Sequence, residues 1–144
     1  MAISDRLITI GRKNIILLKE VNILKYTKEE GKVALKMIDS IIFESEKVQP
    51  KFKEGTPQFS LLKNRIKSLE IVKALIVEEN IIDKYTKEEL VEALPPIISI
   101  ISKCQKAILK FKEGQSHHTR LQTIIETMTI GIEYINIEIE KEKN

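Results

Sequence analysis

Few side chains in this 144-residue chain are suited to chemistry, and their spacing narrows what that chemistry is. The two histidines, His117 and His118, are adjacent. Neighbours on a helix point about 100° apart, so the pair is poorly placed to hold one metal ion together. The sequence has no Glu-x-x-His, His-Glu-x-x-His, Cys-x-x-Cys, Gly-x-Gly-x-x-Gly, Walker loop or Gly-x-Ser-x-Gly. The carboxylates Glu88, Glu89 and Glu92 stand on charge-mixed faces. They lack the isolated apolar setting that raises a carboxyl pKa for acid–base work. Cys104, the single cysteine, falls in the apolar run from Ile97 to Leu109, which reads as a packed thiol on a buried helix. With no disulfide partner, it fits a reducing, intracellular (cytoplasmic) setting. The expectation is a protein that is not an enzyme and carries no cofactor or metal.

Binding is the remaining chemistry, and three surfaces are candidates for it. Residues 1–67 carry 14 basic and 8 acidic side chains, and residues 68–144 carry 10 and 13. The first surface is basic: Arg6, Arg12 and Lys13 on a first helix, with Lys47, Lys51 and Lys53 in the first inter-helix connection. Such a cluster meets phosphates or an acidic protein. Aromatic residues are 5% of the chain, so base stacking is poorly served and direct nucleic-acid binding is not expected. The second surface is that connection itself, Glu46 to Gln58, with Pro50, Pro57, Phe52 and Phe59. The third is the acidic C-terminal stretch with Glu133, Glu138, Glu140 and Glu142, suited to a basic groove on a partner. A solvated helix end is the alternative.

The elements that must position these residues show in a repeat. At an offset of 59 residues, Lys25-Tyr-Thr-Lys-Glu-Glu30 recurs as Lys84 to Glu89, and Phe52-Lys-Glu-Gly55 as Phe111 to Gly114. From 25 to 55, 18 of 31 positions are identical to their counterparts. Thr27 and Thr86 each precede a Glu by three residues, the capping box that starts a helix. Tyr26 and Tyr85 stand where an entry staple packs. Gly55 and Gly114 end each unit where a helix C-cap needs positive φ. Between these marks the apolar spacing is helical. Leu7, Ile10, Asn14, Leu17, Val21 and Leu24 form one seam, with Asn14 as a polar register residue. Leu121, Ile125, Met128, Ile132, Ile135 and Ile139 form another. Five helices follow, near 4–24, 28–47, 58–80, 87–111 and 116–141. The offset matches the first to the third and the second to the fourth. Pro95-Pro96 should kink or break the fourth. Ile135 to Glu140 also alternates as a strand would, but the 4-3 seam runs through it. The expected fold is all-α: one domain, an antiparallel helical bundle with an internal 59-residue duplication. Its repeat units are about 6–55 and 65–114, plus a C-terminal helix at 116–141.

The longest uncharged stretch, Ala93–Ser102, has 10 residues, against the roughly 18 a membrane span needs. No membrane association or signal peptide is expected. Isoleucine occurs 26 times, and 20 Lys and 18 Glu outnumber 4 Arg and 3 Asp, a bias of hyperthermophiles and of A/T-rich genomes.

This Ile/Lys/Glu-rich composition, small all-helical pattern and lack of catalytic motifs resemble the helical-bundle proteins of crenarchaeal viruses. That group includes the coat protein of the two-tailed Acidianus virus and its relative that inhibits host RNA polymerase. The resemblance covers the whole chain by size, composition and helix pattern, and transfers no individual residue. It implies either a protein-binding inhibitor that occupies the polymerase DNA-binding channel or a self-assembling virion component. A basic channel would select the acidic C-terminal face.

Overall fold

The computed structural model describes residues 5–10, 13–18, 28–77 and 84–141. In chain order these form strands β1 (Asp5–Ile10) and β2 (Lys13–Leu18), then helices α1 (Lys28–Val48), α2 (Pro57–Ile76), α3 (Lys87–Glu92), α4 (Leu94–Ile108) and α5 (Ser116–Lys141). A 3-10 turn at Gln49–Lys51 follows α1. The chain is mostly helical, and from residue 28 onward every described element is a helix.

The expected first helix at 4–24 is corrected. Residues 5–18 pair as an antiparallel hairpin, Asp5 opposite Leu18 through to Ile10 opposite Lys13. The segment is dense in β-branched residues (Ile8, Thr9, Ile10, Ile15, Ile16), which strands accommodate better than helices. Steps of 3 and 4 can be drawn through any stretch so rich in isoleucine, which is why the seam looked helical. Asn14 is therefore no seam residue; it pairs opposite Thr9. Nor does the first segment match the third in structure, since a hairpin stands where α2 is helical.

The other helices follow their local signals. Thr86 caps α3 with both halves of the box in place: the Glu89 amide donates to Thr86 Oγ1 at 3.1 Å, and the Thr86 amide donates to Glu89 Oε1 at 3.0 Å. Thr27 and Tyr26 lie outside the described residues. Tyr85 is half-buried against the core. Pro95 and Pro96 occupy the first turn of α4, where their missing amide donors cost nothing. The expected break comes just before them, at Ala93 (φ −74°, ψ −20°), which separates α3 from α4. The tail is helical through Lys141.

Gly55 and Gly114 both have φ +93°, but they do not cap helix C-termini as expected. Each is the third residue of a turn closed by a backbone bond, Thr56 N–H to Lys53 O and Gln115 N–H to Lys112 O, both 3.1 Å. That is the position where a type II turn requires positive φ. The turns launch α2 and α5 instead of ending α1 and α4.

Removing the cap at residue 86 gives a clear test. Thr86→Ala should cost about 1 kcal/mol, read from the urea midpoint at constant slope; no change would mean the cap contributes nothing.

The hairpins α1–α2 and α4–α5 pack on one another, α2 against both α4 and α5 and α1 against α5. One core holds Ile38, Leu69, Val72, Leu90, Ile97, Met128 and Ile135, all essentially inaccessible. The 59-residue offset also separates the starts of α1 and α3, and of α2 and α5. Buried pairs recur at that offset: Ala34 and Ala93, Ile38 and Ile97, Ile41 and Ile100, Ser45 and Cys104. At the crossing of α2 with α5, Gly131 meets Val72, its own counterpart 59 residues earlier.

Candidate functional site

The α1–α2 and α4–α5 turns lie at the same end of the helical body, because Arg120 at the start of α5 reaches Glu44 near the end of α1 (3.0 Å). Residues 44–65 and 103–120, which make up this end, carry ten Lys and Arg against four Glu. Most of the described carboxylates lie further along the helices, among them Glu88, Glu89, Glu92, Glu126, Glu133, Glu138 and Glu140. The rest of residues 28–77 and 84–141 carries eleven carboxylates against eight lysines, so the turn end is strongly basic and the remainder charge-mixed with a mild acidic excess.

Of the predicted basic surface, Lys47, Lys51 and Lys53 are exposed at this end. Arg6 lies on β1 and Lys13 on β2, not on a helix, and Arg12 lies outside the described residues. The expected long connection from Glu46 to Gln58 is shorter than read: α1 continues to Val48, Pro50 sits in the 3-10 turn, and Pro57 opens α2. Phe52 is 36% exposed. On α5, Glu133 and Glu140 are seven residues apart and share a helix face. Glu138 points elsewhere and pairs with Lys141 at 3.0 Å. Glu142 lies outside the described residues.

At the centre of the basic end is a cleft of about 460 Å³, lined by Ile41, Glu44, Arg65, Ile100, Lys103, Cys104, Phe111, His117, Arg120 and Leu121, among others. Arg120 is held in place: its Nη2 donates to Glu44 Oε1 at 3.0 Å and to Ser40 Oγ at 3.4 Å, and Nη1 approaches Met37 Sδ at 3.8 Å. Arg65 is half-buried and has no hydrogen-bond or ion-pair partner among the described residues. Burial pushes its pKa down, with the Cys104 sulfur opposing. Cys104 is buried. Burial pushes its thiol up, while Arg120 and Arg65 pull the other way. A thiol raised in this way is a packed, neutral group and a poor nucleophile. His117 is exposed and stacks on Phe111, with ring centroids 5.0 Å apart and planes at 25°. His118 is half-buried.

A second cleft, about 580 Å³, lies between α2 and the α3–α4 break, and Arg65 borders it too. There Lys67 Nζ meets Glu89 Oε2 at 2.6 Å. The Lys67 hydrogen bond, with the Thr86 amide bond, holds the Glu89 carboxyl below its ordinary value. The same bond raises Lys67 above its own. Stability from Glu89 is full above the ordinary carboxylate range and is lost as pH falls through its lowered folded value; that from Lys67 is full below the ordinary lysine value and is lost as pH rises through its raised one. Glu89→Gln keeps a capping side chain but removes the charge. It should flatten the acid limb of the stability–pH curve, and an unchanged limb would refute the pairing.

Sequence reasoning missed Arg65, Lys103 and Arg120. A signal for the two arginines was present. Arginine occurs four times, and two of the four stand where the other repeat has an apolar residue: Arg65 opposite Ile124, and Arg120 opposite Leu61.

Among the described residues, no group of three His, Cys, Asp or Glu is placed to hold a metal ion. No helix of the described residues is long and apolar enough to cross a membrane. No family model, curated protein or solved structure matches the chain.

Proposed function

We propose that this chain is a non-enzymatic binding protein that docks end-on to a larger partner through its charge polarity. The partner that the resemblance implies is the host RNA polymerase, with repression of transcription as the outcome. The observation that carries the reading is the uneven charge along the helix axes, ten cations against four anions at the turn end and eleven carboxylates against eight lysines beyond it. A mildly acidic remainder presented to a basic nucleic-acid channel gains long-range attraction and orientation, which raise the association rate and select the partner. In this reading the protein acts inside the host cell. Its scaffold is a bundle of two copies of one helical hairpin, 28–76 and 87–135, a duplication supported by the recurrent buried pairs and the recurrent glycine turn.

Affinity purification of the tagged protein from host extract tests this. Polymerase subunits should be recovered with the native chain and lost with the pair Glu133→Lys and Glu140→Lys. They should be retained with Lys51→Glu and Lys110→Glu. Recovery of no subunits in any case would refute the polymerase as partner.

The same polarity favours one second reading, a coat or scaffold component. A basic end and a mildly acidic remainder are complementary, and head-to-tail contacts between copies build open filaments. Light scattering at rising concentration and low salt should then show growing particles that dissolve as salt is added. A strict monomer throughout would exclude assembly.

A further inference from the structure

The cleft at the basic end has features that docking to a macromolecule does not require. Its cations sit where the repeat would place other residues: Arg65 opposite Ile124, Arg120 opposite Leu61, and Lys103 opposite Glu44. Ile124 is itself buried, so an apolar side chain satisfies the core at that position. An arginine there is desolvated and gains no carboxylate among the described residues. A half-buried guanidinium without a counter-charge is costly, and a bound anion offsets that cost. Arg65 and Arg120 line the cleft together with Cys104. Glu44, already paired with Arg120, is the one carboxylate in the lining. The stacked Phe111–His117 pair also lines the cleft and offers a flat surface. The cleft volume, about 460 Å³, lies within the usual range for small-molecule sites, roughly 300–1,000 Å³.

We propose that this cleft binds a small phosphate monoester, its phosphate between Arg65 and Arg120 and beside Lys103, its organic part against Phe111 and His117. Guanidinium groups suit phosphate because their planar donors match its oxygens two at a time. The inference is independent of the docking partner.

Isothermal titration with inorganic phosphate and with adenosine 5′-monophosphate tests it. The native protein should bind both saturably, the monophosphate more tightly. Arg65→Ile adopts the residue of the other repeat and should remain folded by circular dichroism. It should weaken binding about tenfold or more, as expected for loss of a charge-assisted contact. Lys103→Glu, on an exposed residue that cannot disturb the core, should weaken it as well, while Lys32→Ala should leave it unchanged. No saturable binding of either probe would overturn the proposal, as would native affinity in both folded cleft variants. Vesicles of phosphatidylcholine containing phosphatidic acid distinguish a lipid headgroup from a free ester. No recruitment is expected, and recruitment that survives saturating free monophosphate would overturn the assignment.

Discussion

Gly131→Leu is expected to be among the most damaging single substitutions in the helical body, lowering stability by about 2–3 kcal/mol through overpacking. A Cβ built on Gly131 already lies 3.0 and 3.1 Å from the two methyl carbons of Val72. Both residues are buried at the crossing of α2 with α5. A leucine there has no free volume to enter, so the helices must separate and the core between them opens. Gly131→Ala is the informative control. Alanine gains about 1 kcal/mol of helix propensity over glycine, but its methyl needs Val72 to yield a few tenths of an ångström. The two effects nearly cancel in the native background. With Val72→Ala as host, the obstacle is gone and Gly131→Ala should be stabilising. Urea denaturation of the four combinations gives the coupling directly. Additive behaviour would place the glycine away from Val72.

The second large effect is expected at Ile38 and Ile97. Both have 0% relative exposure and sit at matching positions of α1 and α4. Truncation to alanine removes three carbons and leaves a cavity, at about 2–4 kcal/mol for each site. Such a loss is a large share of the 5–15 kcal/mol typical of a whole domain. Ile98, one residue further along, is 52% exposed, and its alanine variant should change stability by less than about 0.5 kcal/mol. Equal losses at 38 and 97 would mean that the two hairpins carry comparable shares of the core. A loss at only one of them would show that the repeats divide the work unequally.

Most of the helical body was legible because its punctuation is local. A capping threonine with its glutamate, two prolines opening a helix and a glycine with positive φ each act within a few residues, so spacing alone locates them. The hairpin was not legible. In residues 7–18, the 3-4 spacing and the β-branched density pointed in opposite directions, and the latter prevailed. The role of Gly55 and Gly114 was half legible: the positive φ was implied by residue type, but whether the glycine ends one helix or launches the next depends on where the preceding helix frays. The cleft was hidden for a different reason. Arg65, Lys103 and Arg120 come from three helices and meet only after the hairpins pack, so no spacing rule joins them. Comparing the repeats position by position would have singled out Arg65, which stands opposite the buried Ile124, but not Lys103, which stands opposite another charged residue, Glu44. The three predicted surfaces were read by sequence neighbourhood, so the gathering of Lys47, Lys51 and Lys53 with residues 103–120 at one end of the helices was not visible in them.

The meeting of Val72 with Gly131 has a kinetic consequence. Each hairpin is built from contacts close in sequence, so either can form early and quickly. The slow event is then their docking, in which a helix finds its own sequence counterpart. A face that recognises its counterpart within one chain also recognises it in a second chain. During refolding at high concentration, α2 of one molecule therefore competes with α2 of another for the same α5. The Val72 methyls and the Gly131 gap limit this exchange by closeness of fit alone, and dilution should speed the recovery of the native fold.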